Sequence, residues 1–297
     1  MPIYIEYFDI KSGVDIEQAR TFLAIAAHGS FLEAAGRLHV TQSTVSARIR
    51  ALETELGAVL FVRNRSGAHL TAAGRRFVNH AQTLVTTLEQ ARHDVGLPDR
   101  FTGSLRIGGR IALWEGFLPR FVRWSRAAMP DVSVRADIGF EQDLMRRMVE
   151  GTLDIACMYT PTHAPHLEVE HLFDEQLVLV STEPGSRWPG EDYIHVDWGP
   201  SFHARQREAF PDQPSPSRVV NIGWMAVQMM FEDGGSAYLP RRMAEPLWAA
   251  GRLHRVEEAP SFPHPAYMVF ARSAVADHTR EALRGLRELA AGEGGGA

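Results

Sequence analysis

The stretch VTQSTVSARIR, residues 40–50, gathers side chains able to meet a nucleic acid: four hydroxyls, one amide and two arginines. Helix interiors disfavour so many Ser and Thr, because these side chains compete for backbone hydrogen bonds. The stretch nevertheless reads as helical. Thr41 can cap a helix that runs to Leu56 and ends at Gly57. On a helical wheel Val45, Ile49, Leu52 and Leu56 form one apolar stripe. Ser43, Ala47, Arg50 and Thr54 lie on the far side, Ser46 lies at its edge, and Gln42 projects from the start. Small residues permit close approach to a DNA groove, Gln and Ser can meet base edges, and Arg suits guanine or phosphate. A plain solvated face is the alternative, and it would be richer in Glu and Lys.

Other elements must hold that face in place. Ile16 to Ala27 has a helical pattern, with Phe22, Leu23, Ala26 and Ala27 as the apolar positions and Gly29 as a C-cap. Ser30 to Glu33 forms a capping box that opens a short helix to Leu38. His39 and Val40 supply a tight connection to the third helix. After it, LFVRNRSGAHLTAAG reads as two extended runs around a turn at Asn64–Gly67, with Arg63 and Arg65 at the tip. Such a wing can reach phosphates or the minor groove. Residues 14–76 hold eight arginines against five acids, a surplus of three, which leaves −8 on the remainder of a chain whose net charge is −5. A basic amino-terminal module on an acidic body fits a nucleic-acid partner for that module alone.

These residues carry a resemblance. The T-Q-S-x-V-S-x-x-I-x-x-L-E-x-x-L-G run followed by L-F-x-R and L-T-x-A-G is similar to the winged helix-turn-helix of the LysR-type transcriptional regulators. The resemblance implies that Gln42, Ser43, Ser46 and Arg50 lie at the base-reading surface; the positive end of the helix that Thr41 caps favours a phosphate nearby. It assigns Arg37, Arg48, Arg63 and Arg65 mostly to phosphates. Double-stranded promoter DNA is the implied partner and, for an activator, RNA polymerase as well.

Beyond the wing, Phe77, Ala81, Leu84, Leu88, Ala91 and Val95 keep a strict heptad spacing that calls for a partner helix. Packing on the helix's own body is the alternative. The resemblance favours a dimerising linker and implies a homodimer or homotetramer on partly palindromic DNA.

From Gly103 strands alternate with helices, the mark of an α/β domain with a largely parallel sheet. Strands are expected at residues 103–110, 132–139, within 151–158 after a turn, 176–182, 193–198, 235–240 and 266–272, and a closing helix at 274–291. GEGGGA at the end is expected to be disordered. The runs EGTLDIAC and FEDGGSAYLP resemble the LysR effector-binding domain, a two-lobed periplasmic-binding-protein-like fold. The full organisation expected is therefore α+β and multidomain. Residues 14–72 form the winged helix-turn-helix, 73–100 the linker helix and hinge, and 101–297 the effector domain. Within that domain lobe I covers about 101–162 and 267–292, and lobe II about 163–266.

A cleft between two lobes can close on a small molecule, with its walls at the strand ends. That nominates Arg110, Ile111 and Ala112 after the first strand, Phe140, Glu141 and Gln142 after the second, and Tyr159 and Thr160 after the third. Across the cleft it nominates Asp197, Trp198, Phe202 and His203, with Trp224 and Met225 near a helix start. Many family members carry Ser or Thr after the first strand to hold a carboxylate. Here the position reads R-I-A, so a carboxylate would rely on Arg110, or the effector is not a simple acid.

Catalysis has no foothold in the sequence: no G-x-S-x-G, H-E-x-x-H, P-loop or G-x-G-x-x-G pattern occurs. No enzyme activity, metal or cofactor is expected besides a small-molecule effector. His163, His166 and His171 with Glu168 and Glu170 read as a polar surface loop rather than a metal site. Asp154 reads as a turn or cap residue, and Cys157 as a buried thiol. The opening MPIYIEYFDIKSG lacks a basic region and a cleavage site, so it reads as a short extension outside the fold or the product of an upstream start codon rather than a signal peptide. With one cysteine and no long apolar run, a cytoplasmic location away from membranes is expected.

Overall fold

The computed structural model describes residues 13–64, 67–164, 166–186, 190–213, 215–272 and 276–293, and the chain divides into two units between Leu97 and Pro98. Residues 1–12 and Arg65 lie outside the described residues.

In the first unit, α1 (Ile16–His28) starts at Asp15, whose carboxylate accepts the Glu17 amide while Gln18 accepts the Asp15 amide. It ends at Gly29, whose φ of 65° is left-handed. Burial falls on Ala19, Phe22 and Ile25, so the apolar face is rotated from the predicted set and Ala27 is exposed. Ser30 caps α2 (Phe31–Arg37) by accepting the Glu33 amide at 3.3 Å. After a turn with His39 at φ 54°, Thr41 caps α3 (Gln42–Leu56). Val45, Ile49 and Leu52 are buried as the wheel requires. Leu56 is 38% exposed, because Leu60 and Phe61 fill the core beyond Leu52.

The residues after α3 are fixed by its own Glu53, whose carboxylate accepts the amides of Leu60 at 2.7 Å and Phe61 at 3.3 Å. Strands β1 (Phe61–Asn64) and β2 (Gly67–Leu70) pair antiparallel, Phe61 opposite Leu70. Thr71 then caps α4 (Ala72–Val95), accepting the Gly74 amide at 3.0 Å and donating to the Val59 carbonyl at 2.7 Å. A Cβ at Gly74 would fall 2.3 Å from the Leu60 carbonyl oxygen, so only glycine lets α4 cross there. The L-T-x-A-G motif is thus the crossing of α4 over the root of the wing. Of the predicted heptad seam, Phe77 and Ala81 are buried in this unit's own core, which corrects their assignment. The aromatic rings of Phe22 and Phe77 meet edge-on at 5.0 Å. Leu84 is left 41% exposed and Val95 87% exposed.

The second unit follows the expected alternation, with differences in detail. In order it holds β3 (Gly103–Gly109), α5 (Ile111–Trp114), α6 (Leu118–Ala128), β4 (Val132–Ile138), α7 (Glu141–Val149) and β5 (Ile155–Met158). Next come β6 (Leu167–Ser181), β7 (Ile194–Val196), α8 (Pro200–Ala209), β8 (Arg218–Val220), α9 (Gly223–Asp233), β9 (Ser236–Pro240) and α10 (Arg241–Ala249). The chain closes with β10 (His254–Arg255), β11 (Phe262–Ala271) and α11 (Asp277–Glu293). Between β3 and β4 the helical run is broken into α5 and α6 at Gly116, whose φ is 125°. GEGGGA is helical through Glu293, which pairs with Arg120; the last four residues lie outside the described ones.

The main sheet runs β10-β6-β11-β5-β3-β4, with β9 also on β6. Only β3 pairs in parallel, with β4 and β5; the other pairings are antiparallel, so the sheet is mixed rather than largely parallel. The reason is β6 and β11, two long antiparallel strands that run through both lobes; the start of β6 pairs with β11 where β11 joins β5, so it belongs with lobe I rather than with the lobe II expected for residues 163–266. β6 begins nine residues before the predicted crossover strand, and β11 four residues before its predicted return. Their register slips between Ala266 and Tyr267, opposite Phe173 and His171. Alternate residues of the sheet feed two cores. Ile107, Cys157 and Met268 join the one under α6 and α11, while Ala156, Met158 and Val269 join Leu144 and Met148 of α7. Cys157 is fully buried, and burial pushes its thiol up to about 12, which leaves it inert. Among the described residues no helix is long and apolar enough to cross a membrane.

Candidate nucleic-acid interface and ligand cleft

Thr41 does more than stop the backbone at the start of α3. Its Oγ1 accepts the Thr44 amide at 3.2 Å and shares 2.8 Å hydrogen bonds with the hydroxyls of Ser43 and Thr44. The first turn is therefore ordered from within, and Gln42, Ser43, Ala47 and Arg50 stand exposed on one side. Ser46 is half-buried and accepts a bond from Arg63 at 3.3 Å. Arg63 lies on β1 rather than at the turn, its guanidinium carbon 3.4 Å from the centre of the Phe31 ring. It therefore braces α2, α3 and the wing together. Arg48 turns to the opposite side, donating to Thr21 at 3.3 Å and pairing with Glu17 at 3.3 Å. That fixes α3 to α1, a different task from the phosphate contact expected of it. Arg37 is exposed at the end of α2.

In the second unit a cavity of about 810 Å³ opens between the lobes, within the size range of small-molecule sites. One wall comes from the ends of β3, β4 and β5: Arg110, Phe140, Glu141, Gln142, Tyr159 and Thr160. The facing wall holds Asp197, Trp198 and Asn221. Trp198 is held by a 2.8 Å bond from its indole nitrogen to the Tyr238 carbonyl, and Gly223 packs beneath it.

Residues 16–75 match the family described as bacterial regulatory helix-turn-helix protein, lysR family, and residues 98–291 match the LysR substrate binding domain. The chain belongs to the LysR family. Among LysR relatives, the HTH-type transcriptional regulator HdfR of Yersinia enterocolitica is 30% identical over 239 residues, 76% of this chain and 81% of that protein. HdfR of Escherichia coli is 29% identical over 270 residues, 88% and 93% of the two chains. Among solved structures, CbnR complexed with its target DNA gives a TM-score of 0.67 at 20% identity, over 93% of this chain and 99% of that one. LysG of Corynebacterium glutamicum with bound effector Arg gives 0.56 at 21%, over 94% and 98%. These structural likenesses show the fold. As a LysR-type transcriptional regulator, the protein joins a helix-turn-helix unit to an effector-binding domain.

Not every residue expected at the LysR cleft lines it. Ile111 faces a smaller neighbouring cavity of about 260 Å³. Ala112 and Phe202 are buried in the core, Phe202 edge-on to Tyr238 at 5.5 Å. His203 points to His195 at 3.0 Å and Asp197 at 3.3 Å, beside the cleft rather than in it. Trp224 and Met225 are exposed, because α9 buries Gly223 under Trp198 and the next two positions rotate outward. Sequence reasoning missed Met145, Thr162, Gly199, Pro200, Asn221 and His264. His264 was hidden because Pro263 and Pro265 argue against a strand. Both prolines fall at one parity of β11, in a part that pairs only with β6, since β5 joins from Tyr267.

Behind the cleft lies a buried polar network. The Tyr159 hydroxyl donates to Glu175, and Arg242 donates to the same carboxylate, its Nε at 3.0 Å, and to the Ala112 carbonyl at 3.3 Å. Burial pushes Glu175 up, with Arg242 opposing; burial and the Glu175 charge raise Tyr159 well above its ordinary value, so it is a neutral donor. Burial works against the charge on Arg242, and the carboxylate outweighs it. Glu115 sits nearby with Oε2 buried and unpartnered, and burial pushes it up to about 6. Asp154 is a strap rather than a cap: it accepts from the Arg106 amide at 2.7 Å and its guanidinium at 2.5 Å and 3.0 Å. Among the described residues no group of three or more His, Cys, Asp or Glu is placed to hold a metal ion.

Proposed function

We propose that this LysR regulator binds promoter DNA as a dimer or tetramer, with α3 in the major groove, and answers to a small-molecule effector in the interlobe cleft. The observation that carries it is the division of α3. Val45, Ile49 and Leu52 are at most 2% exposed, while Gln42, Ser43 and Arg50 stand clear on the other side. Gln and Arg can make paired hydrogen bonds to adenine and guanine, and small neighbours let the helix sink into the groove. Arg37 and Arg65 supply phosphate contacts, which set affinity and register rather than sequence. The second half of the α4 seam, with Leu84, Ala91 and Val95 exposed and Leu88 half-buried, pairs with a second copy. CbnR, solved on its target DNA, supports the first part of this reading, and LysG, solved with bound Arg, supports the second. The protein acts in the cytoplasm by binding rather than turnover, needs no cofactor, and contacts RNA polymerase where it activates.

Gel-shift titration of the full chain against the DNA upstream of its own gene tests this. A discrete complex at low salt, weakening as salt rises, is the expected result. Absence of any complex with such DNA overturns the reading. Light scattering reads the assembly: a monomer at micromolar concentration overturns the α4 pairing.

A further inference from the structure

Two buried nitrogens at the cleft lack a hydrogen-bond partner, Arg110 Nε and His264 Nε2. The Arg110 side chain is 9% exposed and lies over Phe140, its guanidinium carbon 4.7 Å from the ring centre. Its Nε is 3.1 Å from a Glu141 oxygen, close enough for charge attraction but not aligned as a hydrogen bond. A guanidinium only donates, so a buried N–H of this kind calls for an acceptor oxygen. His264, 4% exposed on β11, stacks on Tyr159 with ring centres 4.0 Å apart and meets Trp198 edge-on at 5.8 Å.

We infer that the cleft holds the carboxylate of a flat, singly charged acid between Arg110 and His264. This rests on the reading of the cleft as the effector site. The charge of the lining argues for one negative charge and no more. Among the described lining residues Arg110 is the one cation, while Glu141 and Asp197 are carboxylates, so a second negative charge on the ligand would have no cation to pair with. A carboxylate can displace Glu141 from Arg110 and take the directed bond that Glu141 does not make. The rings of Phe140, Tyr159 and Trp198 give the rest of the ligand flat apolar walls.

The groups facing His264 keep it suited to this task. They are Arg110 from the end of β3, Tyr159 after β5, Glu175 opposite it on β6, and Arg205 of α8, which donates to the Pro263 carbonyl at 2.8 Å. Burial, then Arg110 and Arg205, push the imidazole down to about 4. At neutral pH it is uncharged, and one ring nitrogen carries a hydrogen to give to a carboxylate oxygen.

The test uses the full chain and matched probes: benzoate and phenylacetate against benzamide and phenylacetamide, by calorimetry and thermal shift. Each acid is expected to bind at least about ten-fold tighter than its amide. The advantage falls below about three-fold in Arg110→Gln and in His264→Phe, which keeps the ring on Tyr159 but loses both nitrogens. Amides that bind as well as acids leave the cleft a ligand site and overturn the carboxylate. Acids that keep their advantage in His264→Phe overturn the role of His264. Failure of all four probes overturns the inference as stated. A protein that shifts its promoter DNA but shows no preference for acids loses this inference alone.

Discussion

On α3, the hydrogen bonds of Thr41 reach Ser43 and Thr44, two and three residues away. In the effector domain, Glu175 is bonded to Tyr159 and Arg242, 16 and 67 residues away, and Arg242 reaches a carbonyl 130 residues off. The first set is exposed and the second is buried. Local bonds free a polar face to meet a partner, whereas distant ones use polar groups to tie separate segments together. Polar groups thus leave a face free in one unit and lock a fold in the other. Arg48 and Arg63 are exceptions in the first unit, since both are spent on tying its elements together.

Substitutions can break that contrast. The largest effect is expected from Glu175→Ala, which strips the largely buried Arg242 of its hydrogen-bonded carboxylate and costs the effector domain about 3–5 kcal/mol. Urea unfolding followed by tryptophan fluorescence reads it, because all six tryptophans lie after Pro98. Glu17→Ala removes the part-exposed pairs with Arg20 and Arg48 and should cost about 1 kcal/mol or less, read by circular dichroism. Equal costs would end the distinction between the units.

Next are Gln42→Ala and Arg50→Ala. Each should weaken binding to the preferred operator by about 1–3 kcal/mol, relax discrimination at one base pair and leave stability within about 0.5 kcal/mol. Binding titrations on operators with single base changes measure this; a uniform loss across all sequences would reassign the residue to phosphate. Thr41→Ala removes the cap and its hydroxyl network, and about 1 kcal/mol of stability in the first unit. A loss above about 3 kcal/mol would mean that Thr41 holds more than its own helix.

The smallest effect has a sign set by pH. Folded Glu115 keeps its proton up to about 6, above its ordinary 4.5, so its contribution is full below pH 4.5 and is lost as pH rises through 6. Glu115→Gln should therefore stabilise the effector domain above pH 6 and match the parent below 4.5. Since the group is partly solvated, the gain should stay at about 1 kcal/mol or less. Destabilisation at pH 8 would mean that its attraction to Arg242 outweighs its burial.

The contrast also explains what the sequence revealed. Thr41, Gly57 and the α3 stripe were readable because helical geometry and capping act over a few residues. The β6–β11 crossing was only half readable: QLVLVST shows its apolar end, while the start at Leu167 alternates with charged residues and the start at Phe262 is masked by prolines. In the cleft, strand ends located Arg110, Phe140, Tyr159 and Trp198, but no local pattern announces that Phe202 turns inward and Trp224 outward. That depends on Gly223 lying under Trp198, a contact between segments 25 residues apart.

The passage of β6 through both lobes without a break has a mechanical consequence. At about 3.3 Å per residue its 15 residues form a strip about 50 Å long. The lobes are therefore joined by sprung ribbon rather than by a loose joint. Any change in the angle between them must be absorbed as twist spread along the strip, with a restoring torque set by its ladder bonds. The slip opposite Leu172 is the one notch where that ladder gives way, and it lies two residues from Asp174 and three from Glu175. A glycine placed there would soften the spring, and a β-branched residue would stiffen it, without touching either binding surface.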